Sequence, residues 1–185
     1  ADRLLKPCED VGLQSVFPEE PEGIAKRETV TKMEVGIPLF NIGFKARPCT
    51  GVELLRKEYA SAFLMDMVFG PTSRFYAENM ESGLINSSFE SETLDGDGES
   101  REPAKLRSAV VAEIERVRRE GLSKQDFEDL KKAKYASAIR LFTSVQSCAS
   151  LMLNAHMTDT KPFDAVEELK AMTFEDVMGY LNEIF

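Results

Sequence analysis

The stretch Gly70-Pro71-Thr72-Ser73-Arg74-Phe75-Tyr76-Ala77-Glu78-Asn79-Met80-Glu81-Ser82-Gly83-Leu84-Ile85-Asn86-Ser87-Ser88-Phe89-Glu90 decides how the chain is read. Pro71 lacks a backbone N–H and stops the helix that precedes it. Ser73 is a good N-cap for the next helix. Gly83 can take the left-handed conformation that closes that helix. Leu84, Ile85 and Phe89, with Asn86, Ser87 and Ser88 between them, predict an extended segment. The unit is therefore a short helix and a strand side by side.

Upstream of it, Thr50 and Glu53 form a capping-box pattern that starts a helix at Gly51. Val52, Leu55, Tyr59, Ala62 and Phe63 line one face of it. Leu64, Met67 and Val68 widen that stripe, so much of the helix is expected to be buried. Residues 38–44 predict a strand with Phe40, Ile42 and Phe44 on one face. Residues 29–35 predict another, with Thr31, Met33 and Val35 opposed to Val30, Lys32 and Glu34. Residues 1–28 hold Pro7, Pro18, Pro21 and a cluster of glutamates, and read as a linker or arm from a preceding domain. Residues 29–185 then form the single main domain. Ala1 and the helix-end look of Ala1–Lys6 suggest a fragment of a longer protein.

Downstream, residues 90–103 are polar and turn-rich. Asp95-Gly96-Asp97-Gly98 looks like the start of a calcium loop but lacks the remaining ligands and the closing glutamate. Helices follow. Pro103 suits the first turn of one, with Leu106, Val110, Ile114 and Val117 as its buried stripe and Gly121 as its stop. Ser123 caps the next, where Phe127, Leu130, Lys134, Ala138 and Leu141 share a face. Residues 145–156 bring Cys148, Leu151, Met152 and Ala155 together. Pro162 opens a short helix to Met172. Thr173 caps a last one with Phe174, Val177, Met178 and Leu181 inward. This order predicts an α+β fold: a two-layer sandwich, one mostly antiparallel sheet covered on one side by helices.

Composition narrows the function. The chain has 185 residues and a net charge of −9. That charge opposes nonspecific nucleic-acid binding and anionic membrane surfaces. No long apolar run predicts a membrane span. Cys8, Cys49 and Cys148 are odd in number and widely spaced, which suits reduced thiols in the cytoplasm rather than a disulfide framework.

No constellation for stand-alone catalysis is present. His156 is the only histidine, so the chain cannot supply two histidines to a metal. Cys148 and His156 share a helical face but stand about 12 Å apart along the axis, too far for a nucleophile–base pair. His156 with Asp159 and Asp164 makes a weak metal set. A helix-terminal histidine beside the dipole is the plainer reading. Glu113, Glu115 and Glu120 alternate with Arg116, Arg118 and Arg119 as a solvated, salt-bridged face. Methionines such as Met65, Met67, Met152 and Met157 fill core gaps.

The ordered set F-G-P-T-S-R-F-Y, then G-L-I-N-S-S-F, resembles the second half of a pitrilysin/insulinase-type zinc metallopeptidase unit, the family that includes mitochondrial processing peptidases. Members of that family show F-G-x-x-x-S-x-L-F followed by R-E-x-x-G-L-A-Y-S-V. Phe17-Pro18-Glu19-Glu20-Pro21 and residues 37–45, I-P-L-F-N-I-G-F-K, resemble a bacterial subgroup. The resemblance covers most of the chain. It implies that two halves close like a clamshell on a peptide, and that zinc sits on H-x-x-E-H in the other half, in the same chain or another subunit. No catalytic, cofactor or metal residue is then expected in this chain. Aligned on Gly83-Leu84, the family's arginine becomes Asn79, its glutamate Met80 and its tyrosine Asn86. Asn79, Asn86 and Phe89 become the candidate substrate-facing residues. The same asparagines are equally read as polar residues at a helix end and a strand start. Relatives also carry an apolar strand before the equivalent of Gly98-Glu99-Ser100 that is nearly absent here. Two functions follow as expectations: a non-catalytic, substrate-cradling half of a zinc metallopeptidase, or a degenerate member acting as a binding or assembly scaffold. The presence of H-x-x-E-H in the partner half separates them.

Overall fold

The computed structural model describes Gly12, Val16, Pro21 and residues 23–93 and 95–185. The backbone divides into two units, Ala1–Val30 and Thr31–Phe185. Most of the expected arm over residues 1–28 lies outside the described residues. All the described helices and strands belong to the second unit. They are β1 (Leu39–Gly43), α1 (Gly51–Phe69), α2 (Arg74–Glu81), β2 (Glu90–Ser91), β3 (Asp95–Glu99), α3 (Pro103–Glu120), α4 (Lys124–Leu141), α5 (Val145–Met157), α6 (Asp164–Ala171) and α7 (Phe174–Ile184). The fold is α+β.

The core is built on α1. Its stripe is wide because apolar residues recur at helical spacing and also fill the flanks. Ala60, Phe63 and Leu64 have no exposed surface, and Met65, Val68 and Phe69 almost none. Around α1 stand α2, α3, α4, α6 and α7. Phe63 meets Phe127 of α4 at a ring separation of 5.0 Å, and Phe69 meets Phe75 of α2 edge-on at 5.0 Å. Burial of apolar side chains such as these is the dominant favourable term in folding.

Ion pairs staple the rim of this core. Lys57 reaches Glu183 of α7 at 2.7 Å, and that hydrogen bond raises the lysine above its ordinary pKa. Arg56 reaches Asp176 at 3.2 Å, and Lys134 of α4 reaches Asp66 of α1 at 2.5 Å. The Lys131 ammonium donates to the Met172 carbonyl at 2.6 Å, tying α4 to the end of α6. Among the described residues no buried side-chain nitrogen or oxygen lacks a partner.

Helix boundaries follow local chemistry. Ser73 accepts from the Tyr76 amide, Ser123 from the Asp126 amide and Ser144 from the Ser147 amide. Thr173 and Asp176 form a reciprocal capping box at α7. Gly83 and Gly121 take positive φ where α2 and α3 end. One expectation fails here: α1 does start at Gly51, but the Thr50 side chain makes no capping bond. Val52, at the first exposed turn, is 43% exposed instead of lining the core.

Among the described residues the sheet has three antiparallel strands in the order β1-β3-β2. Its inner face carries Phe40, Ile42 and Phe44 against the core, as the alternation predicts. The sequence misplaces its other strands. Residues 29–35 form no strand. Val30, Met33 and Val35 are exposed, so neither face of that segment finds a cover that would hold it in register. Residues 84–89 are a turn, and β2 is only the two residues that follow it. Residues 95–99, read as polar turn, are the central strand. β3 pairs Gly98 with Phe40 and Gly96 with Ile42. Its inward positions are glycines, and the neighbouring aromatic rings occupy the space their side chains would have used.

Candidate functional site

The three candidate residues lie on the path from α2 to β2, and the local chemistry there explains why the chain turns. Asn79, near the end of α2, donates from Nδ2 to the Phe75 carbonyl at 2.7 Å. Its own carbonyl accepts from the Leu84 and Ile85 amides at 2.9 and 3.2 Å. Asn79 thus closes the helix and reverses the chain. Leu84 and Ile85 are buried directly after the reversal.

Asn86 makes the next turn. Its Oδ1 accepts from the Ser88 amide at 2.8 Å, and its carbonyl accepts from the Phe89 amide at 3.0 Å. A side chain that mimics a backbone turn in this way competes directly with strand formation. The Asn86 Nδ2 donates to Glu99 Oε2 at 3.0 Å, which links the turn to the end of β3. Phe89 points into the core. It is 7% exposed, and its ring lies 6.0–6.1 Å from those of Phe40, Phe75 and Tyr76.

Further residues complete this crossing, and the sequence reading missed them. Ser88 Oγ accepts from the Glu99 amide at 3.0 Å. The buried Ser100 hydroxyl donates to the Leu84 carbonyl at 2.7 Å. Gly98 sits beneath the turn with φ +149. A Cβ there would stand 2.9 Å from the Phe89 Cα and 3.1 Å from the Ser88 oxygen. Only glycine lets the two backbones pass so closely. The signal was in the sequence: glycine at alternating positions, Gly96 and Gly98, marks a strand that another backbone crosses.

The sheet face turned away from the helices is acidic. Asp95, Asp97 and Glu99 alternate along β3, paired with Gly43, Asn41 and Leu39, and Glu90 of β2 stands opposite Asp97. Asn41 lies 3.4 Å from Asp95 across the strands. The Asp-Gly-Asp-Gly run is therefore extended strand, not a calcium loop. Among the described residues no group of three or more histidine, cysteine, aspartate or glutamate side chains is placed to hold a metal ion. Cys148 turns its sulfur toward the Leu141 and Phe142 carbonyls at the start of α5. His156 is exposed in the last turn, so the two are not brought together. A zinc site of the two-histidine kind does not fit the residues of this chain.

The chain matches the C-terminal part of M16-type zinc proteases, the pitrilysin class. One relative is "Uncharacterized zinc protease YmfH" of Bacillus subtilis (strain 168), 25% identical over 175 residues, covering 89% of this chain and 41% of that protein. The fold superimposes with a TM-score of 0.67 on a solved structure titled "Crystal structure of putative M16-like peptidase from Alicyclobacillus acidocaldarius". The identity there is 23%, over 80% of this chain and 38% of the other. No protein-family model matches. The chain spans about two fifths of the length of the proteins it matches. Among the described residues no helix is long and apolar enough to cross a membrane.

Proposed function

We propose that this chain is the non-catalytic, substrate-cradling half of a clamshell zinc metallopeptidase. One observation carries the reading. The chain matches a zinc protease along most of its own length but along only 41% of the relative's, and it holds a single histidine. The zinc and its water-activating glutamate then belong to the other half, in the same polypeptide or in a partner subunit. In this reading the peptide lies against the sheet, where β1 and β2 are the outer strands among the described residues, and an extended peptide adds as a further strand at such an edge. The turn at Asn86 stands beside that sheet and is held in place by Glu99. Asn79 and Asn86 supply no positive charge and no phenol, so the chain would position a peptide rather than stabilise an oxyanion. The carboxylates on the outer sheet face favour peptides with basic residues. The free thiols of Cys49 and Cys148 suit a cytoplasmic setting.

A second reading is favoured by one specific feature. The family's arginine and tyrosine positions are both asparagine here, and both asparagines are engaged in local turns. That would suit a degenerate member serving as a scaffold without proteolysis. Cleavage of a mixed unfolded-peptide substrate separates the two. The 185-residue chain alone should not cleave, while the complete protein with its zinc-bearing half should cleave and lose activity to a chelator. No cleavage by the complete protein would leave the scaffold. Chelator-resistant cleavage by this chain alone would overturn both.

A further inference from the structure

We infer that the outward face of α5, with the residues that flank it, is the surface on which the zinc-bearing half docks. This rests on the proposed function and adds the place of contact. α5 is apolar on two sides. Along one side Cys148 and Leu151 are half-buried and Ala155 is buried. Its outer side carries Val145 (88% exposed), Met152 (60%), Leu153 (60%) and Met157 (76%), with Ile139 (44%) before it and Phe163 (62%) after it. Single exposed hydrophobics need no explanation, but four on one 13-residue helix, with two more beside it in sequence, mark an interaction surface. The same helix, V-Q-S-C-A-S-L-M-L-N-A-H-M, contains no aspartate, glutamate, lysine or arginine, in a chain that is 30% charged. Loss of charge with gain of methionine is the composition of an interface centre, and long-lived interfaces are the most apolar.

The length of the relatives says what covers it. About three fifths of the zinc protease, and a similar share of the peptidase of known structure, lie outside the matched region. In the proposed reading that length holds the zinc-bearing half, which supplies an occupant for an apolar face of this domain. The acidic sheet face and the salt-bridged surface of α3 are poor grounds for a permanent contact, whereas α5 requires no desolvation of charge.

The methionines make the test direct, because sulfoxide formation by peroxide follows exposure. Met152 and Met157 report on the face. Met33 (68% exposed) is an open control, and Met65 (2%) and Met172 (1%) are closed ones. Oxidation rates are to be compared between the 185-residue chain alone and the complete zinc-bearing protein. Protection of Met152 and Met157 by about tenfold or more, with Met33 unchanged, is the expected result. Leu153→Glu should leave the thermal midpoint of the isolated chain nearly unmoved and abolish the protection. Equal oxidation in a complete protein that binds zinc and cleaves peptides would overturn the docking surface and leave the proposed function standing. Protection that grows with the concentration of the isolated chain would assign the face to a second copy instead. Absence of any zinc-bearing half would overturn both readings together.

Discussion

α1 and α5 are both rich in apolar residues, and they have opposite surroundings. α1 is enclosed by five helices and leaves almost nothing of Phe63, Leu64 or Met65 in water. α5 is covered only in part, at Cys148, Leu151 and Ala155, and its remaining apolar side chains face solvent. The difference shows that apolar pattern alone does not define a core. What defines it is whether neighbouring elements of the same chain arrive to cover the pattern. In α1 they do, so its residues stabilise the domain. In α5 they do not, so its residues are available to something else.

Mutations should separate the two helices sharply. Phe63→Ala removes a ring with no exposed surface from between α1 and α4, and should destabilise the chain by about 3–5 kcal/mol in denaturant unfolding. A loss under about 1 kcal/mol would mean that the core is not built on α1. Next in size is Gly98→Ala. It places a Cβ against the Phe89 backbone at a φ that glycine favours, and should cost more than about 1 kcal/mol. An unchanged midpoint would show that the turn at Asn86 does not cross β3 as described.

A smaller effect belongs to the cap of α7, which fastens that helix to α1. Thr173→Ala should cost about 1 kcal/mol. The Thr173 hydroxyl, with Arg56 beside it, holds the Asp176 carboxyl below its usual 3.8. Because the folded value is the lower one, the stability this carboxylate adds is present above about pH 4 and is lost as pH falls through the folded value. Asp176→Asn should therefore be less stable than the parent at neutral pH and equal to it in strong acid. A difference that persisted unchanged into acid would contradict this. The smallest effect is expected on α5: Leu153→Ala should shift unfolding by no more than about 0.5 kcal/mol. A loss as large as that of Phe63→Ala would erase the distinction between the two helices.

The helical part of the fold was legible because its signals are local. A hydroxyl at an N-cap, a glycine at a C-terminal turn and a stripe at period 3.6 are set within a few residues of one another, as at Ser73, Gly83 and Val110. The sheet was less legible because its signals are tertiary. Asp95–Glu99 has no apolar alternation, since Phe40 and Phe89 supply the side chains its glycines lack. Leu84–Phe89 looks extended until the Asn86 amide closes a turn on Ser88. Residues 29–35 alternate without finding a cover. Of the candidate residues, Asn79 and Asn86 make the turns between α2 and β2, and Phe89 is turned into the core rather than outward. The crossing that holds them, through Ser88, Gly98, Glu99 and Ser100, depends on contacts 11 to 16 residues apart that no local pattern carries. Met152 was read as inward because spacing alone cannot distinguish an apolar face that is covered from one that is not. The same holds for Leu141, which is 44% exposed.

The proposed function requires this chain to be the half without metal. The most direct test is a thermal melt of the isolated 185-residue chain as zinc is titrated in and then removed with a chelator. A specific site filled to a hundredfold over its dissociation constant would add about 2.7 kcal/mol and raise the midpoint by several degrees. The account predicts no saturable shift with zinc and no loss with chelator. A one-equivalent rise, reversed by the chelator, would contradict it.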